Sequence, residues 1–396
     1  MEKVKFIFLA LILCFSCIFT SGCWDSVELD SIFIATTIGI DKGKEKNYNL
    51  SIEVAKSARN SSSASPTGSG EGQNKNSIIL TTEADTILEG IAKLNFESSR
   101  NLFFKHCQLI LISTQVAEEG TKDFLDLFLR DPQLRLEIKI FLTEGDMKKF
   151  FEFEPQQESS LGNYITQIVN DNARSNDNFQ INVLKYVSNL LSEQKSNVLP
   201  VIKLEEKQNK KGTIHVSKFA LFNDDKIANY LEVIDFFPFN WTEGKVVESF
   251  LKVEQETRRA NLYIDKIKAK QNIKVTPDKK LKVEFEITMI LSVAELINFK
   301  TQSMYNLVEI LTAQVGKTVE ERIKKTFKLT QETSSDIYGF GNQIYKKNPK
   351  LWSEIKNDWK EIYKTAEIIV MPIINITNNG YTTISIETEQ VRNESR

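Results

Sequence analysis

The stretch LKVEFEITMILSV, residues 281–293, decides the fold class of the region around it. Leu281, Val283, Phe285, Ile287, Met289, Leu291 and Val293 occupy seven successive odd positions. Side chains alternate between faces along a strand, so this spacing makes one dry face and one wet face. A strand of this length needs partners on both sides or a helix over its dry face. That helix is available downstream. Met304, Val308, Leu311, Val315, Val319, Ile323 and Phe327 recur every three or four residues, and Lys317, Glu320, Glu321, Lys324 and Lys325 fall opposite. A helical pair is predicted over residues 335–347 and 349–364, then a buried strand over 367–376. Asn379-Gly380 is a hairpin dipeptide and turns that strand into a second one at 381–387. The module starts near Gly244 and reads as an antiparallel-rich sheet with helices on one side.

Upstream, residues 31–41 (SIFIATTIGID) read as a buried strand. Tyr48, Leu50, Ile52 and Val54 alternate with polar neighbours, the pattern of a one-sided strand, and the polar link between the two suggests a hairpin. A strand resumes at 78–80, followed by a helix with Ile87, Leu88, Ile91, Ala92 and Leu94 on its inner face. Residues 107–112 form a buried strand. Phe124, Leu125, Leu127 and Phe128 suit a helix that stops at Asp131-Pro132. Leu134, Leu136, Ile138, Ile140 and Leu142 alternate with charges, predicting a strand with one wet face. From about Pro155 a smaller middle module begins. It has helices over Leu161–Val169 and Val183–Leu191, then strands near 198–204 and 213–222.

The chain has 396 residues and a mass of 45.4 kDa, room for about two or three domains. Its 51 basic and 53 acidic residues leave a formal charge of −2, which excludes a general nucleic-acid binder. Two histidines and four cysteines exclude histidine-rich metal sites and zinc ribbons. A single long apolar stretch excludes a polytopic membrane protein. Residues 57–77 hold seven Ser, three Gly and three Asn, too polar to offset their ordering entropy, and read as a mobile loop. Gly68, Gly70 and Gly72 lack the Gly-Lys-Ser/Thr ending of a phosphate loop.

The N-terminus reads as an export signal. Lys3 and Lys5 precede fourteen uncharged residues, Phe6 to Phe19. A helix of that length rises about 21 Å, short of the ~30 Å hydrocarbon core. Small residues Ser21 and Gly22 then lead into Cys23, which resembles a bacterial lipobox, although Thr20 stands where Leu is usual. In that pattern Cys23 receives diacylglycerol and an N-acyl chain and becomes the first residue. Several acyl chains anchor stably where one does not. Cys14 and Cys17 leave with the signal. Cys107 is then the single free thiol, which reads as core filler.

The chain therefore reads as a multi-domain α+β protein, with mixed, antiparallel-rich sheets each covered by helices, after a cleaved lipoprotein signal peptide. The predicted divisions are a signal peptide at 1–22, an N-terminal α+β domain at 23–152, a middle α+β domain at 153–243 and a C-terminal α+β domain at 244–390.

No catalytic or metal-binding constellation is legible. His106 and Cys107 are strand neighbours and point to opposite faces, so they cannot form a nucleophile–base pair. His215 stands without a partner motif. Asp224-Asp225 and Glu205-Glu206 lie in polar turns and read as solvated. Tyr338, Phe340, Tyr345, Trp352, Trp359 and Tyr363 fall at helical spacing and read as core.

The residues after the lipobox, Cys23-Trp24-Asp25-Ser26-Val27-Glu28-Leu29, resemble the mature start of the Ger(x)C family, the lipoprotein C subunits of spore germinant receptors. Further segments are similar, in order along the chain. They are Ile38-Gly39-Ile40-Asp41, Ala117-Glu118-Glu119-Gly120, Leu129-Arg130-Asp131, Ala220-Leu221-Phe222 with Asp225-Lys226, and Asp336-Ile337-Tyr338-Gly339-Phe340-Gly341 with Trp352 and Trp359. The resemblance implies three α+β domains and a receptor subunit without catalysis. It implies a lipid anchor on the outer face of the spore inner membrane, with A and B subunits and the lipid bilayer as partners. Trp24, Asp25, Glu28 and Leu29 are then the candidate contacts to headgroups or a partner. Gly339 and Gly341 read as a structural turn. Direct small-molecule binding is left open by the sequence. Two other classes fit an exported lipoprotein: a solute-binding protein feeding a transporter, and a tethered hydrolase, for which the sequence offers no catalytic constellation.

Overall fold

The computed structural model describes residues 3–8, 31–56, 77–155, 158, 160–172, 181–192, 194–206, 212–246, 250–299 and 304–377. Cys23, Trp24, Asp25, Glu28 and Leu29 lie outside these residues. So do residues 9–19 of the apolar segment, 57–76 of the Ser/Gly/Asn stretch and the strand predicted at 381–387.

Two sheets organise the described chain. The first is built from β1 (Ile32–Lys42), β2 (Tyr48–Ala55), β3 (Ser77–Ala84), β4 (Asn101–Phe103), β5 (Leu109–Ser113), β6 (Lys139–Glu144), β7 (Val198–Glu206), β8 (Gly212–Asn223) and β9 (Lys226–Glu232). Their order is β3-β2-β1-β5-β6-β7-β8-β9, with β4 also paired to β1. Pairing is parallel from β1 through β5 and β6 to β7 and antiparallel toward both edges. This sheet runs across the division predicted between residues 152 and 153. Its helices are α1 (Ile87–Glu97), α2 (Thr114–Glu119), α3 (Lys122–Arg130), α4 (Met147–Glu152), α5 (Leu161–Asn172), α6 (Val183–Ser192) and α7 (Val233–Thr242).

The central strands are covered on both faces. All five residues of β5, LILIS, are buried, as are Ile140 to Thr143 of β6. Parallel strands between crossover helices carry such continuous apolar runs. The one-faced strand predicted at 134–142 is corrected on this point. Residues 134–138 lie in turns with Leu134 and Ile138 buried, and the strand itself starts at Lys139. β2 departs from its alternation too, because Ser51 and Glu53 are buried along with Leu50, Ile52 and Val54. On α1 the buried face is Ile87, Gly90, Ile91 and Leu94, while Leu88 and Ala92 face outward.

The second sheet has the order β10 (Phe250–Gln255), β11 (Arg258–Val275), β12 (Leu281–Ile297) and β13 (Glu367–Thr377). β12 carries the decisive alternation. Leu281, Val283, Phe285, Ile287, Met289 and Leu291 have no exposed surface. They share one buried core with Leu311, Val315, Val319, Ile323 and Phe327 of α8 (Met304–Glu332), all buried. After α8 come α9 (Phe340–Lys347), α10 (Pro349–Ile355) and α11 (Trp359–Lys364). β13 then returns parallel to β12, so the helices form a crossover.

β13 corrects the prediction of a buried strand. It is the outer strand among the described residues, and Ile369, Met371 and Ile373 are exposed. The signal was Pro372, which lacks an N–H and belongs at a sheet edge.

Candidate functional site at the seam between the sheets

The two sheets are joined by short polar straps and one helix. α7 (VIDFFPFNWT) packs Phe236 flat on Phe219 of β8, with ring centroids 3.6 Å apart. From its other side, Asp235 receives Lys325 Nζ at 2.6 Å and its carbonyl accepts from Thr326 Oγ1 at 2.6 Å, both on α8. Nearby, Ser196 N donates to the Asp336 carbonyl at 2.9 Å, and Asn342 N to the Gln194 carbonyl at 3.1 Å. Asn223 Nδ2 donates to the Thr333 carbonyl at 3.2 Å, and Lys360 Nζ reaches Asp224 at 3.0 Å.

Asp336 lies at this seam. It is buried, and its carboxylate accepts from Phe340 N at 3.1 Å and Gly341 N at 2.9 Å, the first residues of α9. Burial pushes its pKa up to about 6, against the opposing pull of those hydrogen bonds and of Lys195. Gly339 precedes α9 with φ of 69°, in the left-handed region. A Cβ at Gly341 would lie 2.9 Å from the Gln194 carbonyl and 2.9 Å from the Trp352 ring. Close backbone approach across the seam thus depends on a missing side chain. Behind it, Tyr338 stacks on Phe340 at 5.2 Å, and Phe285, Phe327 and Tyr363 complete the cluster. Tyr363 Oη and Thr330 Oγ1 share a hydrogen bond of 2.7 Å. Of the aromatic residues read as core, Tyr345 is the exception, at 44% exposure.

A cleft of about 330 Å³ opens at the seam. Its wall mixes ammonium groups (Lys195, Lys356, Lys360), carboxylates (Asp224, Asp336) and amides. Leu190 and Trp359 add apolar surface, so the lining is mixed and suits polar contact between the modules or a small charged molecule.

A second joint ties β1 and β2 to the middle module. Glu53 is 2% exposed and accepts from Thr36 Oγ1 at 2.7 Å, Thr37 Oγ1 at 2.8 Å, Leu161 N at 2.8 Å and Gly162 N at 3.3 Å. A carboxylate at the start of α5 satisfies its free N–H groups and matches its dipole. A Cβ at Gly162 would stand 2.6 Å from Thr37 Oγ1. Sequence reading missed Glu53, because a charged residue in an alternating strand reads as wet-face.

The residues weighed for chemistry are dispersed. His106 and Cys107 lie in a turn before β5, not in a strand. His106 is exposed beside Phe103, and burial pushes the Cys107 thiol up to about 12. His215 Nε2 lies 3.7 Å from Glu205 on the surface. Asp225 is structural rather than solvated. Its carboxylate accepts from Thr121 N at 3.1 Å and Lys122 N at 3.2 Å, capping α3. No group of three or more His, Cys, Asp or Glu suited to a metal occurs among the described residues. No described helix is long and apolar enough to cross a membrane.

Comparison with known proteins adds a family to this geometry. The family model for the spore germination protein N-terminal domain matches residues 25–204. The model for the spore germination B3/GerAC-like C-terminal region matches residues 217–380. The chain belongs to the Ger(x)C family. Among its relatives in Bacillus subtilis strain 168, putative spore germination protein YfkR is 22% identical over 93% of this chain and 96% of its own length. Spore germination protein KC is 22% identical over 90% of this chain and 91% of its own. Spore germination protein A3 is 25% identical over 88% and 91%. The crystal structure of the GerBC protein matches with a TM-score of 0.55 at 15% identity, covering 86% of this chain and 97% of that one. The chain therefore shares the multi-domain α+β fold of that Ger(x)C protein. The family-like segments fall on packing positions. Ile38 to Asp41 lie in β1, Ala220 to Phe222 in β8, and Asp336 to Gly341 at the seam.

Proposed function

We propose that this chain is the lipid-anchored C subunit of a spore germinant receptor. The observation that carries the reading is the tandem of germination-family matches over residues 25–204 and 217–380, which begins two residues after Cys23. Cys23 carries the diacylglycerol and N-acyl groups, and the folded modules stand on the outer face of the spore inner membrane. Trp24, Asp25, Glu28 and Leu29 are within a few residues of the acyl chains and contact headgroups or a partner there; Trp suits such an interface.

The subunit works with A and B subunits through contacts, without a reaction of its own. The seam around Asp336 supports this reading. It joins two sheets by a few polar straps and a buried cap, an arrangement suited to passing a small displacement between modules. The test is isolation of the tagged full-length chain from detergent-solubilised spore inner membranes. Co-isolation of both partner subunits is expected. Recovery of the chain alone, with tight nutrient binding by its soluble part, would instead support the solute-binding class.

A further inference from the structure

The route of the chain toward Cys23 marks one end of the first sheet. Ile32 opens β1 and pairs with Asn101 of β4. Eight residues separate Cys23 from Ile32, and that stretch of chain reaches at most about 30 Å when extended. The last turn of α1 is fixed at the same end, because Leu102 N donates to Asn95 Oδ1 at 2.7 Å.

That corner has an unusual surface. Phe96, beside Asn95, is 92% exposed, the most exposed large apolar side chain among the described residues. Leu88 and Ala92, spaced four apart before it, continue the exposed edge of α1. Two cations follow in sequence, Arg100 just before β4 and Lys105 just after it. Arg100 lies over the Phe33 ring at 5.4 Å and Lys105 over the Phe103 ring at 5.8 Å. Both stand outside the ion pairs found among the described residues, and Glu97 is the single acid between Phe96 and Lys105. An exposed aromatic followed in sequence by cations is the composition of a surface that meets anionic headgroups.

We infer that this corner rests on the bilayer, with Phe96 at the boundary of headgroups and acyl chains and Arg100 and Lys105 against lipid phosphates. The inference rests on the lipid-anchor reading of Cys23, since the short tether is what holds this end at the membrane. It adds an orientation. The first sheet stands on the lipid by the starts of β1 and β4, and the second sheet is carried by the first rather than by lipid.

The test places a nitroxide on Phe96→Cys in the lipidated full-length chain. The chain is reconstituted in vesicles of phosphatidylcholine and anionic phosphatidylglycerol. Cys107 is buried and Cys23 is acylated, so the new thiol takes the label. Tyr345→Cys on α9 gives a reference in the C-terminal module. At position 96, collisions with dissolved oxygen should exceed those with a water-soluble nickel complex, and the order should reverse at position 345. Adding Arg100→Glu and Lys105→Glu should move the label at 96 toward the aqueous pattern. A label at 96 that matches the one at 345, on chains that float with the vesicles, overturns the corner and leaves the anchor standing. Failure of the unlabelled chain to float overturns the anchor reading and the corner with it.

Discussion

β5 and β12 are both lined by buried aliphatic side chains, yet they are built on opposite rules. β5 is buried on both faces, so Ile110 and Leu111, adjacent in sequence, are 1% and 0% exposed. β12 is buried on one face, so Ile287 is enclosed under α8 while Thr288 next to it is half-exposed. The doubly covered sheet must satisfy every polar group internally. The singly covered sheet leaves its outer face to charged rows such as Lys266, Lys268 and Lys270.

The sharpest break of this contrast is a pair of adjacent substitutions in each strand. Ile110→Ala and Leu111→Ala should each destabilise by about 2–5 kcal/mol, as should Ile287→Ala. Thr288→Ala should cost about 1 kcal/mol or less. Denaturation midpoints of the four variants read this directly. Equal losses at 287 and 288 would mean that the outer face of β12 is covered after all.

The next effect concerns the buried carboxylate of the first sheet. Glu53→Ala removes one acceptor from two hydroxyls and two backbone N–H groups. A loss of about 3 kcal/mol is expected, since buried donors are left unsatisfied. A loss near zero would show that the β1–β2 hairpin does not depend on this tie to α5.

Asp336 titrates at the seam between the two sheets. Its folded pKa is pushed up to about 6 from the ordinary carboxylate value of 3.8. The folded state therefore binds the proton more tightly than the unfolded chain does. The associated stability is fully present below about pH 4 and is lost as pH rises through about 6, up to about 3 kcal/mol in all. Asp336→Asn should flatten that part of the stability-versus-pH curve, and urea midpoints at pH 4 to pH 7 (roughly the window set by those values) compare the two proteins. A parallel pair of curves would remove Asp336 as the titrating group.

Much of this fold is legible in the sequence because its signals are local and periodic. The row Leu281 to Leu291 and the helical row ending at Phe327 follow directly from spacing, and α3 ends where Pro132 approaches. The departures share one physical cause. Apolar content says that a side chain is buried, but not how many faces of its strand are covered. Hence β6 and β2 read as one-faced and β13 as buried. Pro372 was the readable correction for β13. Glu53 had none, because its partners come from Leu161 and Gly162, more than a hundred residues away. The seam was half legible. Gly339 and Gly341 stood out as backbone positions, whereas the buried cap by Asp336 needs the fold to be seen.

The smallest effect belongs to the open face. Lys270 pairs with Glu286 at 2.6 Å but is 80% exposed, so Lys270→Ala should change stability by about 0.5 kcal/mol or less. A larger loss would place something over that face.

The most direct test of the account is Cys23→Ala in the spore-forming host, with inner-membrane retention and nutrient-triggered germination followed in the same spores. A receptor subunit held by its lipid predicts that both fall together. Unchanged retention with unchanged germination would contradict the lipid anchor as the device that positions this protein.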